Sequence, residues 1–373
     1  MIVRARTEIN EELIRDLLAG EKNDLQVPES CFFFNSGSAA LRFFLQMNRT
    51  RKRVGVQVFT CSTVLDSIFA EGCVPVFLDV DIEYYTSTLD YIKAKINEMD
   101  ILLLTHLFGI PNPDYLDIKL LCKEHNVVLI DDLCQTYHAK IGDCYLEDLS
   151  ENYIYSFFYD KPISSLAGGM LKIADNYRIV AEKQYNVFSK IDDLEGRRDL
   201  KVLLLMHKLL SPNLYIKEFR CGDAWRRILE IWPLGGSIKV LNFVVNGKWM
   251  AILNKLIKVK RRTEIIRLSD VEIYYLLFMM RLFHDNNQKL IDYYRINGME
   301  VPVYLRNPKI CCSVAKRALV ETVEVYGSVQ VGLYNWSQLI CNKEDYSSYP
   351  NAASIINTHT NIPCWMDGVI RVK

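Results

Sequence analysis

In its first half the chain places short apolar runs between longer stretches with helical spacing. Val54–Phe59, Val74–Leu78, Ile101–Thr105 and Val127–Ile130 are such runs, short and rich enough in β-branched residues to read as strands. Tyr115–His125 between the last two has a helical period, and Leu41–Gln46 is an apolar helix behind a run of small residues. Strands alternating with helices predict βαβ units and a mainly parallel sheet flanked by helices. Ligands of such sheets gather beyond the carboxyl ends of the strands, which marks out His106, Asp131, Asp132 and Gln135. No G-x-G-x-x-G and no P-loop sequence follows any of these strands, so the nucleotide-binding versions of the fold lose ground.

The pattern changes near residue 186. Asp199–Leu210 is apolar with basic interruptions, Trp225, Trp232 and Trp249 follow, and the stretch closes on Lys255, Lys258, Lys260, Arg261 and Arg262. From Arg267 to Tyr294 helical spacing returns, and the part from Lys309 onward mixes short strand-like runs (Val323–Tyr326, Val329–Gly332) with a helix around Ala352. The expected organisation is a large α/β domain over 1–185, a helical, basic and apolar insertion over 186–262, and a small C-terminal α+β domain over 263–373. The insertion reads first as helix packing an apolar face on the core. A lid, a subunit interface or contact with a membrane surface are its other readings.

Composition narrows the class. Lys+Arg and Asp+Glu both total 45 in 373 residues, so the overall charge makes no case for nucleic acid as a partner. There are 11 cysteines, without a C-x-x-C pair and scattered through a large chain. That fits reduced thiols better than a disulfide scaffold or a zinc knuckle. The histidines have no metal-ligand spacing, so no metal is expected. The charged start Met1–Glu8 does not read as a signal peptide, and no apolar run is long enough to span a bilayer. A cytoplasmic location is the expectation.

Three segments carry candidate chemistry. Asn35-Ser36-Gly37-Ser38-Ala39-Ala40 precedes an apolar helix; glycine lets the backbone approach an anion and the serines add donors, although an ordinary helix cap looks the same. Asp131 and Asp132 close a strand, where paired carboxylates can serve a ligand, a metal or the next helix. Lys161 follows Phe157, Phe158 and Tyr159 and precedes Gly168-Gly169. A lysine desolvated by aromatics suits Schiff-base chemistry, and a snorkelling surface lysine is the plain alternative.

Taken in order, these blocks resemble the DegT/StrS family of sugar aminotransferases. Ser36–Leu41 is similar to its Ser-Gly-Thr-x-Ala-Leu block, Gly72–Asp79 to its G-x-x-P-V-F-x-D run, and His106–Pro111 to its His-x-x-Gly-x-Pro run. Asp131–Gln135 is similar to its Glu-Asp-x-x-Gln block, and Ser156–Gly169 to its Ser-Phe-x-x-x-Lys block with the later Gly-Gly. Arg267–Asp270 and Asn361–Pro363 extend the likeness, which covers about 30–175 and 265–373.

The resemblance implies an α/β fold-type I transferase, with a mainly parallel seven-stranded sheet in its large domain, that uses pyridoxal 5'-phosphate and works as a homodimer. Lys161 would form the Schiff base and carry protons. Asp132 would meet the pyridine nitrogen with Asp131 behind it, and Gln135 would reach the cofactor's hydroxyl face. Ser38, the Ala39 amide and Ser156 would hold the phosphate beside Ser36 and Gly37. His106 would lie close to the substrate or just behind the site. The family's ring-stacking aromatic falls at Cys61, so Phe59 is the alternative ring cover. Ile265 stands where the family has an Asn that reaches the partner subunit's phosphate, Ala167 replaces an acidic residue, and Tyr137-His138 replaces the family's His/Phe-Gly pair.

The implied reaction moves an amino group, from glutamate, to a keto group of a nucleotide-linked sugar for surface polysaccharide or aminosugar synthesis. The alternatives are a sugar dehydratase, an amino-acid aminotransferase, or a non-catalytic paralogue with a regulatory or structural role. Relatives that dehydrate carry histidine in place of the lysine, so Lys161 favours transamination.

Overall fold

A strand buried on both faces has no reason to alternate in polarity, and Ile101–Thr105 shows this, with all five residues buried. It is β4 of the central sheet in the computed structural model, which describes residues 9–20, 26–107, 109–158, 161, 163, 165–209, 264–282, 309–313 and 348–363. The other strands are β1 (Cys31–Phe34), β2 (Arg53–Gln57), β3 (Val74–Leu78), β5 (Val128–Asp132), β8 (Tyr153–Ser156) and β9 (Gly169–Lys172), with a small β6–β7 ribbon at Lys140–Ile141 and Cys144–Tyr145. The seven-stranded sheet has the order β1-β9-β8-β5-β4-β2-β3. Its pairs from β3 across to β8 are parallel. β9 runs antiparallel to both β8 and β1, so it alone opposes the rest. This is the mainly parallel sheet that the alternation of runs predicts.

Side-chain alternation sorts the sheet into two faces. Leu102 and Leu104 point to one side, where α1 (Glu11–Ala19), α4 (Leu89–Lys95), α5 (Tyr115–Glu124), α8 (Asp193–Leu209) and a helix over 270–282 (α9) complete the core. Ile101 and Leu103 point to the other, against α2 (Gly37–Met47), α3 (Ser62–Ala70) and Ala181 of α7 (Arg178–Tyr185).

The Val54–Phe59 strand ends two residues early, at Gln57. Val58 and Phe59 belong instead to a third cluster with Val80, Tyr85 and Leu107, closed by Tyr349, Ala352 and Ile355. The last two lie on α10 (Pro350–Thr358), whose first turn is held by Asp79: its carboxylate accepts the N–H groups of Asn351 at 3.2 Å and Ala352 at 3.0 Å. A carboxylate at a helix start satisfies donors that the helix leaves open. Beyond α10, β11 (His359–Pro363) pairs antiparallel with β10 (Lys309–Ser313).

Packing joins residues on both sides of the expected boundaries near 186 and 262. Leu200, Leu203 and Leu204 of α8, and Leu268, Val271 and Tyr275 at and within α9, are buried in the same core as the sheet. Asn35 at the end of β1 accepts the N–H of Ile266 on its side chain and donates its own N–H back to the Ile266 carbonyl at 2.8 Å. Residues 264–268 line the open rim of β1, where Leu268 donates its N–H to the Phe33 carbonyl at 3.2 Å, and 189–191 pair in turn with Arg267, so both segments pack with the sheet. Ser269 and Glu272 form a capping box at the start of α9. The tryptophan-bearing and basic part of the expected insertion, the 323–332 strand-like runs and the end of the Arg267–Tyr294 helix lie outside the described residues. No helix among the described residues is long and apolar enough to cross a membrane.

Candidate active site

The end of β5 sends its two carboxylates to opposite faces. Asp131 is level with Leu104 and Tyr153, and Asp132 with Thr105 and Ile154. Asp132 thus shares the α2/α3 face with Ile154 and, two residues on along β8, Ser156. It is buried, and its Oδ1 accepts the Cys134 N–H at 3.0 Å, which fixes the turn carrying Gln135. Gln135 is half-buried beside it.

The start of α2 reaches the same region through glycines. A Cβ on Gly37 would lie 2.9 Å from Ser156 Cβ, and a Cβ on Gly169 would lie 2.3 Å from the Ser36 carbonyl group and 2.4 Å from Gly37 N. Ser36 also bridges Gly168 in parallel. The backbones of the helix start, of β8 and of β9 can meet only because these positions lack side chains. Ser36, Ser38 and Ser156 are half-buried around this junction.

Ser36 is the helix cap: its Oγ accepts the Ala39 N–H at 3.0 Å. The Ala39 amide expected to hold phosphate is therefore already engaged. An anion here would be held by the Ser38 and Ser156 hydroxyls and the first amides of the turn, with the positive end of α2 behind them.

Lys161 is half-buried on the loop from β8 to β9. The loop folds back on Phe157, which donates its N–H to the Gly168 carbonyl at 2.9 Å and accepts that of Ser165 at 2.7 Å. The Cys134 thiol ties the parts together electrostatically. Burial, then the Asp132 charge, push it well up; Lys161 pulls it down, and Cys61 adds a smaller upward push. Cys61 is exposed at the start of α3, with its sulfur 3.3 Å from Thr63 Oγ1.

Two expected residues are placed elsewhere. Phe59 is 1% exposed inside the third cluster, so it has no free face with which to cover a ring. His106 is fully buried on the Asp131 side: its Nδ1 accepts the Asn112 N–H at 3.0 Å and its Nε2 lies 3.1 Å from Asp131 Oδ1. It supports the strand end and touches no open surface. Ile265, the departure from the family's Asn, is buried against the α2/α3 face. His138, at the family's glycine position, keeps a left-handed backbone at φ 55° and donates its N–H to Glu147 at 2.6 Å. Cys134, Thr105, Tyr115 and Ser150 were not singled out in the sequence. Thr105 follows from its register with Asp132, whereas no local signal marks Ser150.

The sheet order, with an acidic residue at the end of β5, a glycine-packed helix start after β1 and a lysine loop after β8, defines a fold-type I pyridoxal-phosphate transferase fold. Over 99% of this chain it is similar to a candidate sugar aminotransferase of Streptococcus pneumoniae, Spr1654, covering 94% of that chain with a TM-score of 0.60 at 14% identity; that protein is known in apo, PLP and PMP forms. Residues 25–194 match the DegT/DnrJ/EryC1/StrS aminotransferase family, so the resemblance carried by the motifs holds over that span.

Among curated proteins, the chain is 30% identical over 122 residues to a UDP-N-acetyl-3-dehydro-alpha-D-glucosamine 3-aminotransferase of Acidithiobacillus ferrooxidans, covering 32% of this chain and 33% of that protein. It is 32% identical over 151 residues to a dTDP-4-dehydro-2,6-dideoxy-D-glucose 3-dehydratase of Saccharopolyspora spinosa, covering 36% and 31%. It is 27% identical over 129 residues to GDP-perosamine synthase of Vibrio cholerae, covering 34% of each. These matches span about a third of the length of each relative.

Proposed function

We propose that this protein is a pyridoxal-phosphate-dependent aminotransferase that moves an amino group from an amino acid, glutamate in the first instance, to a keto group of a nucleotide-linked sugar. The observation that carries the reading is the convergence of Asp132, Ser156 and the start of α2 on one face of the sheet, with the Lys161 loop returning to Gly168 beside them. The residues fit the cofactor chemically: hydroxyls and a helix start for a phosphate, a buried carboxylate for a ring nitrogen, and an amine for an aldehyde. Pyridoxal phosphate, when bound, supplies an electron sink for the carbon that exchanges its amino group.

The roles of the chain's own residues follow from their placement. Ser38 and Ser156 bind the phosphate, with Ser36 and Gly37 shaping the turn. Asp132 keeps a proton on the ring nitrogen, and Gln135 orients the ring. Lys161 Nζ would hold the cofactor and, as a free amine, would carry the proton at the reacting carbon. Cys61 stands where the family stacks an aromatic, so at that position this chain would offer a thiol and no ring face. Lys161, where dehydrating relatives carry histidine, favours transamination over the dehydration named for the Saccharopolyspora protein.

The homodimer expected of the family is part of this proposal. A cytoplasmic site of action fits a nucleotide-sugar substrate. Loading the protein with cofactor and ¹⁵N-glutamate and offering UDP-, dTDP- and GDP-linked ketosugars tests the reading. Appearance of a ¹⁵N-aminosugar by mass spectrometry is the expected result. Transfer to simple keto acids only would replace it with an amino-acid aminotransferase.

A further inference from the structure

Among the described residues two buried threonine hydroxyls, Thr60 Oγ1 and Thr105 Oγ1, have no hydrogen-bond partner. Both residues are 3% exposed. Elsewhere in the interior Ser67 donates to the Thr63 carbonyl at 2.7 Å, Ser87 to that of Asp79 at 2.7 Å, and Thr136 to that of His106 at 2.6 Å. On the other face of the sheet Asp131 receives the Tyr115 hydroxyl at 2.9 Å and the Ser150 hydroxyl in a shorter contact, beside His106. A hydroxyl taken out of water without a partner loses its hydration and gains nothing in return. The two exceptions therefore call for a cause.

Thr105 ends β4 and shares the α2/α3 face with Ile101 and Leu103. It is level with Asp132 on the next strand. Neighbouring strands lie about 4.8 Å apart, so hydroxyl and carboxylate stand side by side, yet no hydrogen bond joins them. Thr60 follows β2, on the far side of β4 from Asp132, and its own N–H turns back to the Val58 carbonyl at 3.1 Å. No register aligns it with Asp132. The strand order gives Asp132 two sides, with Ser156 on β8 to one side and Thr105 on β4 to the other.

We propose that Thr105 is a further cofactor-contact residue, whose hydroxyl donates to the 3-oxygen of pyridoxal phosphate. This rests on the cofactor reading above. The pyridine ring has two edges about the axis through its nitrogen: one carries the phosphate arm, and the other carries the methyl group and the 3-oxygen. With the nitrogen at Asp132 and the phosphate at Ser156 and the start of α2, the edge with the 3-oxygen is turned toward β4. Gln135 reaches that oxygen from the turn after β5, and Thr105 adds a second donor from the neighbouring strand. A hydroxyl that donates to a charged oxygen makes one of the stronger hydrogen bonds, which accounts for keeping it unpaired in the protein alone.

The test uses pyridoxamine phosphate, which has no aldehyde for Lys161, beside its analogue without the 3-hydroxyl. Binding of each to the full chain is measured by fluorescence titration, together with thermal melts without ligand. Thr105→Val keeps the shape of the side chain and removes the hydroxyl. It should melt above wild type without ligand, because an unpaired buried hydroxyl is gone. It should bind pyridoxamine phosphate about tenfold more weakly and the 3-deoxy analogue like wild type. Thr105→Ser keeps the hydroxyl and the wild-type preference between the two compounds. Thr60→Val should also melt higher and keep that preference. A hydroxyl that only supports the fold would give the reverse, a lower melt with equal loss for both compounds. That result, unchanged affinity of Thr105→Val for pyridoxamine phosphate (as when a buried water serves the hydroxyl), or the same loss of preference in Thr60→Val overturns the inference and leaves the cofactor reading standing. A wild type that binds neither compound overturns both.

Discussion

Replacing Gly169 by alanine is the sharpest probe of how the site is built. The added Cβ would sit 2.3 Å from the Ser36 carbonyl carbon and oxygen and 2.4 Å from Gly37 N. Optimal carbon contacts lie at about 3.5–4.0 Å, so the start of α2 must move away from β9 by about 1 Å. The obstacle is backbone on both sides, so no side-chain rotation relieves it. Overpacking of this kind costs about 1–3 kcal/mol, and an anion site displaced by 1 Å loses hydrogen bonds to charge worth about 1.5–3 kcal/mol, or roughly ten- to a hundredfold in affinity. Gly37→Ala meets Ser156 Cβ at 2.9 Å, a milder clash with a side chain, and should lose less of both. Gly142→Ala meets nothing within 4 Å but sits at φ +59°, so it should lose about 1 kcal/mol of stability from backbone strain and no affinity. Urea melts and equilibrium titration with pyridoxal phosphate give both quantities. The reasoning is refuted if Gly169→Ala binds the cofactor like wild type, or if the three variants do not rank in that order.

Further outcomes follow from other parts of the structure. Asp79→Ala removes the acceptor for two N–H groups of α10 and should cost about 0.5–2 kcal/mol; limited proteolysis should then cut near residue 350 sooner than in wild type. Asp100 is held down to about 2, first by its hydrogen bond to Arg53. Its folded value lies below the unfolded one of about 3.9, so its contribution is complete above about pH 4 and is lost as pH falls toward 2. In Arg53→Ala, melting temperature should fall less between those pH values than in wild type, and an unchanged slope would rule this out. Among the described cysteines Cys61 and Cys144 are exposed, while burial raises Cys31 to about 11 and Cys122 to about 12. Thiol labelling read by peptide mapping should therefore mark Cys61 and Cys144 before the other described cysteines, and pyridoxal phosphate should protect Cys61 and not Cys144. Equal labelling of Cys61 with and without cofactor would remove it from the site.

What could be read from the sequence depended on whether a residue's neighbours lie near it along the chain. β3 and β4 were legible to the residue, because each is a local apolar run. β5 extends through both aspartates, and its polar end could be recognised only by its place in the motif order. β1, β8 and β9 were not named beforehand, since segments of four residues are too short to show a strand or a helix period. Phe59 was misplaced because β2 stops at Gln57, whose side chain donates to the Phe59 carbonyl at 2.7 Å and turns the chain. The residues proposed for the site on the α2/α3 face stand in the sequence as an ordered set of small blocks. The cluster behind it was not legible there, since Tyr115 and Ser150 reach Asp131 only through packing of α5 and the turn before β8. The segment boundary near 186 marked a real change in composition, but packing at β1 ignores it.

The most direct test of the account is the visible absorbance of the purified protein titrated with pyridoxal phosphate, measured beside a Lys161→Ala variant. The account predicts a saturable visible band in the wild type, bleached by glutamate and absent from the variant, whose thermal melt matches wild type without cofactor. A folded wild type that shows no band in excess cofactor, or a variant that keeps the same band, would contradict it.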